Sequence, residues 1–291
     1  MASLFQKWFG SRSAPPAHLA EPLAELAKLA RDKPSLQESC KSLESILIAL
    51  FAEPVTEAPP EIAADSAREK WNAAVPLLHE VPLSLDAIAF RRRWLSVCAA
   101  MPGEDVAILS KATLDPIALL NAVLSGRHES VATQAQSLSV NPEQLATVLR
   151  LSALPVLAHF AETLAGLRTG LAWDYGYCPT CGSWPLLAEV RGLEQLRILR
   201  CGLCATAWNG SRFRCFYCGV EDHRSLGYFH VEGEEDRYRA ATCDECRGYV
   251  KVISTLAPLS PSQLLIADLA TLHLDLAAAN RGFSSAARGR A

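Results

Sequence analysis

The stretch 178–246 reads CPTC at 178–181, CGLC at 201–204, CFYC at 215–218 and CDEC at 243–246, four Cys-x-x-Cys knuckles within sixty-nine residues. Only Cys40 and Cys98 lie outside them. A Cys-x-x-Cys turn sets two sulfurs on one side of a tight loop, and two such turns facing each other complete a tetrahedral all-sulfur shell for zinc or iron. A redox Cys-x-x-Cys normally sits singly at a strand-to-helix junction. Four in succession, separated by 19, 10 and 24 residues, therefore read as metal knuckles for two sites.

Sequential pairing puts Cys178, Cys181, Cys201 and Cys204 in site one and Cys215, Cys218, Cys243 and Cys246 in site two. Crossed pairing would close loops of 33 and 38 residues, at only about 0.5 kcal/mol more per loop. The preference for sequential pairing rests on hairpin patterns between the knuckles. Residues 183–190 and 196–200 read as strands around Arg191-Gly192, and 226–232 and 238–242 as strands around a polar turn at 233–236. Each copy is knuckle, hairpin, knuckle, and is too small to offset its own chain entropy. A structural metal, contributing about 10–16 kcal/mol, makes up the difference.

Upstream, the spacing is helical. Leu36, Cys40, Leu43, Leu47 and Leu50 line one helix face, and a second helix is expected over 85–100. Asp115-Pro116 and Asn141-Pro142 each pair an N-cap with proline at the first helical position. A long helix with a kink at Pro155 is expected over 142–168. Downstream, 249–253 reads as a strand, and Ser260-Pro261 with Gln263 forms a capping box. That box opens one closing helix, whose Leu264, Leu265, Leu269, Leu272 and Leu276 should dock on another element. The expected fold class is α+β, with a helical domain (1–170), two tandem rubredoxin- or zinc-ribbon-like metal modules (171–212 and 213–258), and a closing helix with a frayed tail (259–291).

Half of the 291 residues are apolar, and the net charge of −3 provides no global basic field for nucleic acid. Residues 1–12 lack the apolar core and the arginine pair of an export signal. Charged residues or proline interrupt every apolar run before it reaches bilayer length, so no membrane insertion is expected. A cytoplasmic location follows, where reduced thiols favour metal over disulfide.

The run Cys178-Pro179-Thr180-Cys181-Gly182-Ser183, the later knuckles, Tyr249-Val250-Lys251, Asp268-Leu269-Ala270-Thr271 and Leu274-Asp275 together resemble the FdhE family of formate dehydrogenase accessory proteins. The resemblance implies a cytoplasmic, non-catalytic maturation factor that binds the catalytic subunit of formate dehydrogenase before export. It also implies two rubredoxin-like iron sites; the all-sulfur donor set by itself fits zinc equally, and zinc is the commoner structural occupant. Self-association is left open. Two other readings stand beside this one, a zinc ribbon that grips nucleic acid and a thiol or iron redox enzyme.

The remaining chemistry-bearing residues have structural readings. Cys40 and Cys98 fall on apolar helix faces, as small core residues do. His223 and His230 could replace a sulfur, but four cysteines already serve that module, and His273 is expected to pack or cap on the last helix. Arg91, Arg92 and Arg93 point in different directions on a helix. Phe213, Phe216 and Tyr217 are expected to shield the third knuckle. No Ser/His/Asp grouping, phosphate-cradling glycine loop or HExxH occurs.

Overall fold

Among the described residues the first knuckle hangs from eight α-helices: α1 (Ala17–Asp32), α2 (Gln37–Phe51), α3 (Ala64–Asn72), α4 (Ala87–Ala100), α5 (Glu104–Lys111), α6 (Pro116–Leu124), α7 (Glu129–Leu138) and α8 (Pro142–Thr163). The computed structural model describes residues 16–51, 53–192, 196–235 and 237–285. The readings made for residues 1–12, Asp236 and 286–291 lie outside these. Helix starts follow local chemistry. Asp115 accepts from the N–H groups of Ile117 and Ala118 at 2.9 and 3.0 Å, and Asn141 accepts from Glu143 at 2.7 Å. Asp86 caps α4 in the same way, which moves its start to Ala87. Cys40, Leu47 and Leu50 are buried on α2, and Phe90, Trp94, Val97 and Cys98 on α4. Arg91 bonds the carbonyls of Ser110 and Ala112, while Arg92 and Arg93 pair with Glu53 and Glu57, so the three arginines diverge as read.

One expectation about length is corrected. The run Pro142–Arg168, 27 residues long, is apolar enough by length and composition to cross a bilayer. Pro155 removes one N–H without ending the helix, so the run continues past it. Sixty-seven per cent of its apolar window is buried, as befits a core helix packed among the others.

Among the described residues six strands form one sheet, β1 (Pro185–Arg191), β2 (Leu196–Cys201), β3 (Ala207–Asn209), β4 (Leu226–Phe229), β5 (Tyr238–Cys243) and β6 (Tyr249–Thr255), in the order β3-β2-β1-β6-β5-β4. Each metal module supplies three antiparallel strands: β1, β2 and β3, then β4, β5 and β6. The two hairpins sit where they are expected, with β3 added and β4 shorter than its apolar run. A parallel pairing of β1 with β6, Leu187 opposite Lys251 through Arg191 opposite Thr255, joins the modules edge to edge. A parallel pair needs a long connection, and the rest of the tandem provides it.

The single closing helix expected from the leucine stripe is in fact two helices, α9 (Pro261–Ala270) and α10 (Leu272–Asn280). The capping box forms as read, with Ser260 and Gln263 bonded reciprocally. Thr271 Oγ1 then donates to the carbonyls of Ala267 and Asp268 at 2.7 and 3.2 Å, offering the backbone an alternative to the helical ladder. Leu272 and Leu276 consequently face solvent, and Leu274 and Ala278 are buried instead. Helix α9 lies between the sheet and the helical half: Leu264 packs on Leu187 and Ile253, while Leu265 and Ile266 join the helical core. The break also brings Asp268 and Asp275 onto one ammonium, Lys251 Nζ, at 2.5 and 2.8 Å. In an unbroken helix these residues would be about 10.5 Å apart along the axis.

Candidate metal centres

All four knuckles use one backbone device. The residue after the second cysteine takes a positive φ: Gly182 (80°), Ala205 (55°), Gly219 (77°) and Arg247 (56°). Glycine adopts this conformation freely, whereas a side chain there costs about 1–2 kcal/mol. The turn lets the first cysteine's N–H reach the carbonyl five residues on: Cys178 to Ser183, Cys201 to Thr206, Cys215 to Val220 and Cys243 to Gly248, each at 2.9 Å.

The hairpins then bring knuckles face to face in sequential pairs. Cys178, Cys181, Cys201 and Cys204 form one group and Cys215, Cys218, Cys243 and Cys246 the other, with all sulfurs in a group within 4.8 Å of one another. Facing sulfurs are 3.5 Å (Cys178 to Cys204) and 3.4 Å (Cys181 to Cys201) apart in site one. In site two they are 3.7 Å apart for both Cys215 to Cys246 and Cys218 to Cys243. A tetrahedral shell with metal–sulfur bonds of about 2.3 Å has edges of about 3.8 Å. The donor set and its spacing therefore fit a zinc or iron ion in each group. His223 and His230 lie outside both groups, beside Asp222 and Glu235. His273 packs edge-on to Tyr238 and pairs with Glu234 at 2.6 Å.

Electrostatics within site one follow from crowding four thiols in a dry pocket. Burial pushes the Cys181 and Cys201 thiols far up. At Cys178 burial acts in the same direction, but hydrogen bonds from Cys181, Cys201 and Cys204 outweigh it and bring that thiol well below its usual range. The N–H groups of Leu203 and Cys204 point at Cys201 Sγ, both at 3.4 Å, and Thr206 Oγ1 lies 3.0 Å from Cys204 Sγ. The two backbone N–H donors to Cys201 sulfur would tune a bound metal. By contrast, Cys98 in the helical core has its thiol pushed up to about 11, chiefly by burial, as an inert packing residue would.

The two sites differ in their surroundings. All four cysteines of site one are buried, and the helical half grips its first knuckle through the backbone: Leu77 N–H donates to Pro179 O and Leu78 N–H to Thr180 O. Tyr177 OH adds a 2.7 Å bond to Ala74 O. Site two has three buried cysteines, and Cys218 is exposed. Around it Phe216 and Tyr217 are partly covered, with Tyr217 OH donating to Tyr249 O at 3.0 Å, whereas Phe213 is 78% exposed and shields nothing. The grip of residues 77–78 on the first knuckle carries no sequence motif.

Residues 177–212 match the family model described as the FdhE central domain, and residues 213–289 match the FdhE C-terminal domain. The chain is 32% identical over 270 residues to the protein FdhE homolog of Stutzerimonas stutzeri, covering 90% of this chain and 85% of that one. It is 36% identical over 135 residues to the protein FdhE homolog of Aquifex aeolicus, covering 44% of this chain and 45% of the relative. The crystal structure of the FdhE protein from Pseudomonas aeruginosa is similar with a TM-score of 0.63 at 25% identity, across 94% of this chain and 95% of that one.

Proposed function

The chain belongs to the FdhE family, and from that premise we propose that it is a formate dehydrogenase accessory factor rather than an enzyme. In this reading it works in the cytoplasm, binds the enzyme's catalytic subunit before export, and holds one iron ion in each four-cysteine group. The observation that carries the proposal is the closure of both groups. Four sulfurs would fill every position of a tetrahedral shell around a bound ion, leaving none open for activating water or substrate. When bound, the metals would clamp the sheet and store charge, and this chain's contribution would be recognition. Iron is preferred over zinc on the family likeness, since thiolate donors accept either.

Anaerobic co-purification with the precursor of a formate dehydrogenase catalytic subunit, beside an unrelated exported precursor, tests the proposal. Selective capture of the first is expected. Equal capture of both, or of neither by metal-loaded protein, would overturn it.

A further inference from the structure

Beside site two, a cleft of about 210 Å³ is lined by four arginines, Arg197, Arg212, Arg214 and Arg239. Strand register places Arg197 opposite Val190 and Arg239 opposite Val252, on the sheet face away from α9 and α10. Of these four arginines, only Arg214 has an ion-pair partner among the described residues, Glu221 at 3.9 Å. Arg197 is half-buried in the lining of the cleft. Its guanidinium lies over the Phe216 ring at 5.3 Å, and its Nε is buried without a hydrogen-bond partner. Burial, with Arg239 and Arg212 close by, pulls its pKa down to about 10, the mark of positive charge that nothing nearby balances. Phe213 and Tyr228 stand at the rim, 78% and 70% exposed. Strand β4, which carries Tyr228, is one of the two edges of the sheet.

We propose that this cleft docks an acidic segment of the client protein, its carboxylates on the arginines and an adjoining apolar or aromatic side chain against Phe213 and Tyr228. The proposal rests on the accessory reading and locates the contact surface. Arginine and exposed aromatic residues are the side chains that anchor protein interfaces. The cleft is smaller than the about 300 Å³ at which enclosed small-molecule sites begin, and its aromatic rim is open, so it suits side chains of a longer segment. Nucleic acid is disfavoured because the positive charge is confined to one cleft on a chain of net charge −3.

The test uses full-length, metal-loaded protein and the Arg212→Glu/Arg239→Gln double variant, with the exposed-site variant Arg212→Gln in reserve should the first fold poorly. Probes are a fluorescein-labelled Glu-Tyr copolymer peptide, its Lys-Tyr counterpart, a single-stranded oligonucleotide and the formate dehydrogenase precursor. The Glu-Tyr peptide and the precursor should bind the parent protein and weaken with salt, and both should bind the double variant about tenfold less tightly with metal content unchanged. Binding of the precursor equally by both proteins would overturn the cleft assignment while leaving the accessory reading intact. Equal affinity for the Glu-Tyr and Lys-Tyr peptides, or an oligonucleotide bound more tightly and lost in the variant, would also overturn it. A precursor that the parent protein does not bind counts against the accessory reading, and the peptide comparison then decides the cleft by itself.

Discussion

Leu77 donates its backbone N–H to the carbonyl oxygen of Pro179 at 2.9 Å, inside the first knuckle, and Leu78 repeats the bond to Thr180 at 2.8 Å. Backbone bonds of this kind cannot be kept if the knuckle opens. The buried cysteines of site one also belong to the same apolar core as Phe90, Trp94 and Phe160 of the helices. Cys201→Ser should therefore lower thermal stability across the whole chain, with near-UV changes from the tryptophans of the helical half. Cys243→Ser, in a separate small cluster with Cys215 and Cys246, should loosen the second module and spare the helical signal. Calorimetry and circular dichroism check this, and identical unfolding of the two variants would refute it.

Metal should leave the two sites at different rates. Site two exposes Cys218, whereas every sulfur of site one is covered. Chelator competition is expected to be biphasic, with the fast half abolished by Cys218→Ser and Cys218 the first thiol alkylated as metal departs. A single phase would contradict the asymmetry.

Lys251 is 3% exposed and is held by Asp268 and Asp275, with Tyr249 OH donating to Asp275 at 2.7 Å. Lys251→Met takes the cation from both carboxylates and should cost about 3–5 kcal/mol. Burial alone would lower the ammonium pKa, but the two aspartates outweigh it and raise it above the usual lysine value. Because the folded value exceeds the unfolded one, this stabilisation is complete below about pH 10.4 and is lost as pH rises through the raised folded pKa. Denaturant unfolding from neutral to alkaline pH should show that loss in the parent protein and not in Lys251→Met.

Besides the β1–β6 pairing, the backbone of the first module comes close to the third knuckle at Gly176. A Cβ placed there would lie 1.9 Å from the carbonyl oxygen of Phe216 in the third knuckle. Gly176→Ala should force the two segments apart, costing about 1–3 kcal/mol, and should speed metal loss from site two. Unaltered stability and retention would show that the contact is dispensable.

What could be read from sequence was local. The knuckle grouping follows from residues three apart and from hairpins, and the caps at Asp115, Asn141 and Ser260 are decided within a turn of the chain. What escaped depends on distant segments. The β1–β6 pairing that fuses the modules joins residues more than sixty apart. Leu272 and Leu276 fit a helical stripe, yet the bonds of Thr271 and the pull of Lys251 on two aspartates set the helix break. The convergence of Arg197 and Arg239, from different modules, has no sequence pattern at all.

The central claim is that each four-cysteine group holds one metal ion in an all-sulfur shell. X-ray absorption at the metal edge, with metal content measured on the same anaerobically purified protein, tests it most directly. Two ions per chain, each with four sulfurs at about 2.3 Å, with one ion lost when either group carries a Cys→Ser change, is the predicted result. Nitrogen or oxygen in the shell, or a metal-free chain that retains its fold, would contradict it.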